Sequence, residues 1–397
     1  MRIILILLCL VMFSCTTKKK APHIAKEIEE SPMMKRVDSK FQVIDVGRSI
    51  KVEMDFIIPK LVSISYIPLE STELIGAMDQ VLVHDGKIYI MDAYITERVF
   101  IFDMQGRVLK VIDDKGEGPT EYTGLSGMCI DSEREEICLN DRLSSGKLYY
   151  DLNGQFLRKE KGIPCFYINE LGYYAINQLG YAQSFSNHIN YHLVCTVQDS
   201  ICSKGFPYEP IQEQNMMSMN AMFNSMGDLL FTPILSDTVY SIKSFEEYSV
   251  RYIIKHDRSV WAKHREKLSY NEVNELIKNS GYTAFRGSFY ETAKYVYFSM
   301  KKKIEKFVGI NYFLLDKADM QVYELNGINL DMLEEIIPPN LIALNGETCV
   351  ASFDAYLIKE ALAKKDNGGV IKNDTLKSII ENSNESSNPV LVMYQLK

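Results

Sequence analysis

The sequence has little that would commit it to nucleic acid, to a membrane span or to a familiar catalytic motif. Its 44 Lys and Arg are outnumbered by 52 Asp and Glu, for a net charge of −8. A chain with no basic surplus lacks the electrostatic footprint of a nucleic-acid binder. A bilayer-crossing helix needs roughly 20 apolar residues, and the run at the amino end, Ile3–Phe13, has only eleven. None of the eight cysteines forms a Cys-x-x-Cys pair, and no Gly-x-Ser-x-Gly elbow occurs. Neither a thiol-pair metal site nor an α/β-hydrolase nucleophile is therefore signalled. Histidine is sparse: His188 and His192 stand four apart in "HINYH", and His256 and His264 flank Trp261 in "HDRSVWAKH". The first pair lies in a strand-like context with no third ligand nearby, which argues against a metal site. The second reads as an exposed loop with one aromatic packed inward.

What is present begins with an address. Arg2, the apolar run and Ser14-Cys15 have the order of a secretory signal, a charged start followed by an apolar core and a processing point. Cysteine directly after Ser14 resembles a bacterial lipobox, which implies diacylation of Cys15 as the mature N-terminus. Met12 and Phe13 depart from the usual residues of that motif. Residues 1–14 are thus expected as signal peptide and 15–40 as a lipidated N-terminus and flexible tether. The tether is charged and without sustained apolar period, so it has little surface to bury. No acidic cluster follows Cys15, which favours a periplasm-facing outer-membrane lipoprotein. The six remaining cysteines, 129, 138, 165, 195, 202 and 349, sit largely in strand-like runs and read as buried free thiols. A Cys195–Cys202 hairpin disulfide is the alternative.

Residues 41–397 carry an internal rhythm. "KIYIMDAYITERVFIFDMQGRVLKVI" and "EEICLNDRLSSGKLYYDLNGQFLRKE" repeat one order of strands and turns. Asp103 and Gly106 match Asp151 and Gly154 at an offset of 48, and Asp92 matches Asp141 at 49. Asp-x-x-Gly suits chain reversal, because aspartate caps its own turn and glycine tolerates positive φ. A period near 50 with about four strands per unit indicates a β-propeller. The fold class is therefore all-β, a six-bladed β-propeller with seven blades as the alternative. A few helical insertions are expected at "SYNEVNELIKNSG", "NLDMLEEII", "DAYLIKEALAKK" and "NDTLKSIIENS". The runs "LVSISYIPLE" and "PVLVMYQLK" lie outside the central repeats and are expected to meet in one closing blade. Val390, Val392 and Tyr394 should then face one side, with Leu391 and Met393 on the other, as a period of two requires.

Four stretches, "VSISYIPLE", "VFIFDMQGRVLKV", "GEGPTEY" and the terminal "NPVLVMYQLK", together resemble the six-bladed β-propeller lipoproteins of Bacteroides-type bacteria, relatives of NHL-repeat propellers. The likeness implies a propeller in the cell envelope and leaves its activity open.

The most site-like stretch is Gly116-Glu-Gly-Pro119 with Glu121. A phosphate-cradling loop should open a helix, yet this one lies between strand-like runs and is acidic. Gly116, Gly118, Pro119 and Glu121 are therefore expected as a structural corner between blades. No catalytic or metal residue is assigned. Asp92, Asp103, Asp141 and Asp151 could line a channel or hold calcium, but their places at turns favour a structural role. The functional expectation is a non-enzymatic envelope lipoprotein whose propeller binds a protein, peptide or glycan. It requires no cofactor, and its one further partner is the membrane through its lipid. The alternative is a propeller-pocket enzyme, a calcium-dependent lactonase or lyase.

Overall fold

The computed structural model describes residues 21–397 apart from 143–145, 162–166, 170–171, 177–190, 198–199, 208–220, 224–226, 234–235, 265–269, 329, 331 and 366–369. Cys15 and the signal segment lie outside the described residues, as do Cys165 and His188.

Among the described residues, five four-stranded antiparallel blades follow one another along the chain. The first is Gln80–His84, Lys87–Asp92, Arg98–Asp103 and Val108–Ile112. The second is Leu125–Asp131, Glu136–Asp141, Gly146–Asp151 and Phe156–Lys161. The third comprises Tyr167–Asn169, Gly172–Ile176, Tyr191–Val197 and Ser200–Pro207. The fourth comprises Ala221–Phe223, Leu229–Phe231, Thr238–Ile242 and Glu247–Lys255. The fifth is Ala284–Glu291, Tyr295–Ile304, Phe307–Asp316 and Gln321–Leu325. First strands of neighbouring sheets stand side by side, so they form the inner wall of a β-propeller arrangement.

The blades are therefore five, not the six or seven anticipated from the repeat length. The remaining four-stranded sheet is not a repeat of one chain segment. Leu341–Asn345, Thr348–Phe353 and Val390–Leu396 come from the carboxyl end, and Leu61–Pro68 comes from the amino end. Dividing chain length by a period cannot detect a sheet assembled from both termini. The expected meeting of the two terminal runs is observed, with Val390 opposite Pro68, Val392 opposite Tyr66 and Tyr394 opposite Ile64. The alternation also holds. Val390, Val392 and Tyr394 join the core shared with the fifth blade, whereas Leu391 and Met393 join the core shared with the first.

Ahead of this closing strand the chain runs as a belt along the outer edges. Met33 bridges Lys204 of the third blade. Lys35–Arg36 and Gln42–Asp45 add in parallel to the outer strand of the fourth, and Ile50–Val52 to that of the fifth. Residues 21–40, expected within the tether, thus carry structure: helix α1 (Ala21–Glu30) lies against the third blade, with Ile28 buried and Glu29 receiving Lys204. The belt covers strand edges that would otherwise present unpaired backbone groups.

The other helices interrupt the β pattern: α2 (Val260–His264), α3 (Tyr270–Ser280), α4 (Ala355–Ala363) and α5 (Asp374–Asn382). Asp354 and Asn373 cap α4 and α5 by accepting from Leu357 N and Leu376 N. Among the described residues of the expected helix no helical turn forms from 332 to 337. Met332–Leu333 instead pairs in parallel with Val370–Ile371, and Ile336 and Ile337 sink into the core beside Pro338-Pro339. Apolar spacing there reflects burial of an extended segment that prolines prevent from coiling. Cys129, Cys138, Cys195 and Cys349 are buried free thiols and Cys202 is partly exposed. The register sets Cys195 opposite Ser203, so the hairpin disulfide does not form.

Among the described residues no helix is long and apolar enough to cross a membrane.

Candidate functional site

An antiparallel meander places its connections alternately at two ends. One end gathers the links between blades and the links from second to third strands. It carries α2 to α5, the Gly116–Tyr122 loop and the Asp92 and Asp141 strand ends. We call it the upper face. The lower face carries the turns at Asp103 and Asp151. The four aspartates that a shared calcium site would need are thus split between opposite ends.

Each of these carboxylates is already engaged. Asp103 accepts from Gln105 N and Arg107 N, both at 2.9 Å, and Asp151 accepts from Asn153 N at 2.9 Å and Gln155 N at 2.8 Å. The glycines of these turns, Gly106 and Gly154, have φ of 81° and 79°, as the Asp-x-x-Gly signature requires. Asp92 gathers Gly76 N (2.9 Å), Ala77 N (3.1 Å), Ile95 N (3.0 Å) and the Thr96 hydroxyl (2.8 Å). Burial would raise its pKa, but these donors hold it below the ordinary carboxylate value. Asp141 does the same for the next link, accepting from Thr123 Oγ1 at 2.6 Å. In both blades an acid at the end of the second strand fastens the incoming link.

The fourth blade varies the device. Asp237 accepts from Ser259 Oγ and lies 3.0 Å from His256 Nε2, and His256 Nδ1 lies 2.5 Å from Thr283 Oγ1. His256 was expected in an exposed loop, yet its side chain is 5% exposed. Trp261 packs partly inward, its Nε1 donating to Phe285 O at 3.1 Å. Carboxylate, imidazole and hydroxyl are aligned here as in a nucleophile relay. However, the serine hydroxyl is bonded to the acid, not to the imidazole, and the imidazole is enclosed. The arrangement ties the fourth blade to the fifth.

The corner loop closes on itself. Gly118 N donates to Glu121 Oε2 at 2.7 Å, Gly116 N to Tyr122 O at 2.9 Å, and Tyr122 N to Asp114 O at 3.0 Å. Tyr122 is fully buried and its hydroxyl donates to Glu97 O at 2.7 Å. A Cβ on Gly116 would meet Glu121 Oε2 at 2.0 Å, and one on Gly118 would meet it at 2.9 Å. Glycine is needed here for close approach, not for positive φ. Pro119 is exposed on the outside of the loop. Glu121 therefore spends its carboxylate on the loop itself, leaving no free anion cradle.

Exposed side chains lie beside this loop, between the first and second blades. Tyr94 and Ile95 are 47% and 67% exposed, and Leu74 is exposed on the preceding link. Ile95 lies over Gly76, where a Cβ would come within 2.3 Å of it. The Arg142 guanidinium stands 5.3 Å from the Tyr94 ring centroid and donates to Glu97 Oε1 at 3.1 Å. Asp79 accepts from Ala93 N at 2.7 Å, and burial, with Asp92 nearby, raises its pKa. An exposed aromatic, an apolar ridge, a cation and a partly buried carboxyl meet here. Reading the sequence strand by strand misses this group because Tyr94 and Arg142 belong to different blades. Its one signal is that both lie just past the matched aspartates, Tyr94 two residues after Asp92 and Arg142 one after Asp141. Among the described residues no group of three or more His, Cys, Asp or Glu is placed to hold a metal ion.

The chain belongs to the family described as Domain of unknown function (DUF4934), whose model matches residues 41–395. No curated protein matches it. It is similar in structure to a Bacteroides fragilis protein described as exported, with a TM-score of 0.66 and 17% identity over 90% of this chain and 100% of that one. A member of the DUF4221 family from Bacteroides vulgatus gives a TM-score of 0.46 and 11% identity over 85% of this chain and 97% of that one.

Proposed function

We propose that this DUF4934 member is a non-enzymatic cell-envelope lipoprotein, anchored through Cys15, whose upper face binds a protein, peptide or glycan. The observation that carries the reading is the division of labour on that face. The carboxylates of Asp92, Asp141, Asp237 and Glu121 are consumed by the fold's own donors, whereas Leu74, Tyr94 and Ile95 stand exposed beside Arg142. A surface of rigidly held links with an exposed aromatic and apolar ridge is suited to recognition, because little order is lost on binding. The exported description of the Bacteroides fragilis protein and the apolar run before Cys15 support the envelope location. The outer membrane, periplasmic side, is the address that accords with the absence of acids after Cys15.

A photo-crosslinking side chain placed at Ile95 in cells should trap a discrete adduct, and one placed at the exposed lower-face Gln105 should not. Identical adducts at both positions would defeat the assignment of the upper face. The anchor is tested separately by metabolic labelling with a fatty-acid analogue. Label should be lost in Cys15→Ser, and retained label would remove the lipoprotein reading.

A further inference from the structure

The hairpin of second and third strands is short in the first blade but long in the fifth. Lys87–Asp92 and Arg98–Asp103 pair over six rungs, Lys87 opposite Asp103 through Asp92 opposite Arg98. Tyr295–Ile304 and Phe307–Asp316 pair over ten, from Tyr295 opposite Asp316 to Ile304 opposite Phe307. Four extra rungs at about 3.3 Å each extend the hairpin roughly 13 Å further. The hairpin turns through Glu305, with φ of 52°, and Lys306. It is propped from one side, where Val308 packs against Val273 and Ile277 of α3.

The tip is basic on a molecule that is acidic overall. Residues 301–306 hold four lysines against one glutamate, in a chain whose net charge is −8. Lys302 is committed to Glu324 at 2.6 Å, but Lys303 and Lys306 are exposed. Phe307 is 58% exposed, more than any other aromatic side chain described. Ile304 is its cross-strand partner. Gly309 lets Ile304 fold over the neighbouring strand, since a Cβ there would lie 2.2 Å from Ile304 Cδ1. The finger therefore presents an aromatic and a branched aliphatic residue at its end, with Lys303 and Lys306 exposed nearby.

We propose that this hairpin is a membrane-contact finger. Phe307 and Ile304 enter the headgroup region of an anionic phospholipid surface, and Lys303 and Lys306 pair with the phosphates. Aromatic and aliphatic side chains gain by partial burial at that boundary. Lysine attraction to anionic lipid falls off within a Debye length, so the charges act only at a tip that reaches the surface. The net negative charge of the chain is repelled by the same surface, which favours contact through a projecting basic tip such as this finger. The contact deepens the proposed function by orienting the upper face towards the bilayer, and it requires no acylation.

The experiment uses the chain from residue 16 onward, which contains every described residue and no lipid. It is mixed with sedimenting vesicles of phosphatidylethanolamine and phosphatidylglycerol, or of phosphatidylcholine alone. Binding to the anionic vesicles, weakened by salt and absent from the neutral ones, is expected. Phe307→Ser, and separately Lys303→Glu with Lys306→Glu, should each reduce binding by about tenfold. Leu357→Ser, at another exposed upper-face residue on α4, should leave it unchanged. Unaltered melting temperatures establish that the variants are folded. Failure to bind anionic vesicles, or equal binding by the hairpin variants and the parent chain, would overturn the proposal. So would hairpin-dependent binding of polyglutamate without vesicle binding, which would assign the finger to an acidic protein. None of these results depends on labelling at Cys15 or crosslinking at Ile95.

Discussion

Leu391 is the most direct probe of how the ring is held. It is fully buried in the third strand of the closing sheet, between Ile67 of the amino-terminal strand and Ser352 of the carboxyl-terminal hairpin. Its side chain belongs to the core that also contains Ile88, Ile90 and Phe100 of the first blade. Leu391→Ala removes transfer free energy and leaves a cavity, at a cost of about 2–5 kcal/mol. The upper half of that range is expected, because three separate stretches of chain line the site and cannot collapse together without disturbing one another. Val62→Ala on the same amino-terminal strand is the control, because Val62 is exposed and its loss should stay within about 0.5 kcal/mol. With a urea slope of about 3 kcal/mol per molar, a loss of about 4 kcal/mol lowers the midpoint by about 1.3 M. Unfolding followed by circular dichroism and by Trp261 fluorescence should shift together. Equal midpoints for the two variants would show that the closing sheet contributes little to the stability of the fold. Removal of Pro389–Lys397 extends the test, because it deletes the central strand and leaves Leu61–Pro68 without its partner. The expected result is loss of a cooperative transition.

Gly118→Val should lower stability by about 1–3 kcal/mol, because its Cβ alone would come within 2.9 Å of Glu121 Oε2. An unchanged melting temperature with selective loss of ligand binding would instead make the corner a binding loop. Glu291, buried at the lower end of the fifth blade, accepts from Arg251 (2.7 Å), Tyr252 (2.6 Å) and Lys317 (2.8 Å). Burial raises its pKa, but these partners outweigh burial and leave it lowered. A lowered folded pKa gives stability that is present above the unfolded value, about 4.3, and lost as pH falls through the folded value. Glu291→Gln should therefore cost about 3 kcal/mol at neutral pH, and its gap to the parent chain should narrow below about pH 4. A gap that stays constant from pH 7 down to about pH 3 would contradict the charged network.

The parts legible in the sequence are those where local chemistry repeats. Asp103 with Gly106 and Asp151 with Gly154 announce their turns because each reversal is built within five residues. Residues 390–394 announce their two faces because a strand buried on both sides still alternates. The belt was not legible. Its parallel additions, Lys35–Arg36, Gln42–Asp45 and Ile50–Val52, are too short to show a period. The stretch ending at Pro338-Pro339 misleads, because apolar steps of three and four also fit an extended segment burying Leu333, Ile336 and Ile337. At the candidate site, Tyr94 and Arg142 are 48 residues apart, and only the adjacency of two blades gives the pair meaning.

The amino-terminal belt also determines how the molecule bears load. If tension enters at the amino end, it reaches α1 and then the backbone rungs that join residues 35–52 to the fourth and fifth blades. Each addition has two to four pairs, and a strand drawn along its own length loads the pairs of one addition together in shear, so each addition yields as a unit. Only after they fail would force reach Leu61–Pro68, which holds the two ends of the chain together. The segment nearest the amino end thus acts as a mechanical fuse, yielding one addition after another before the ring itself is opened.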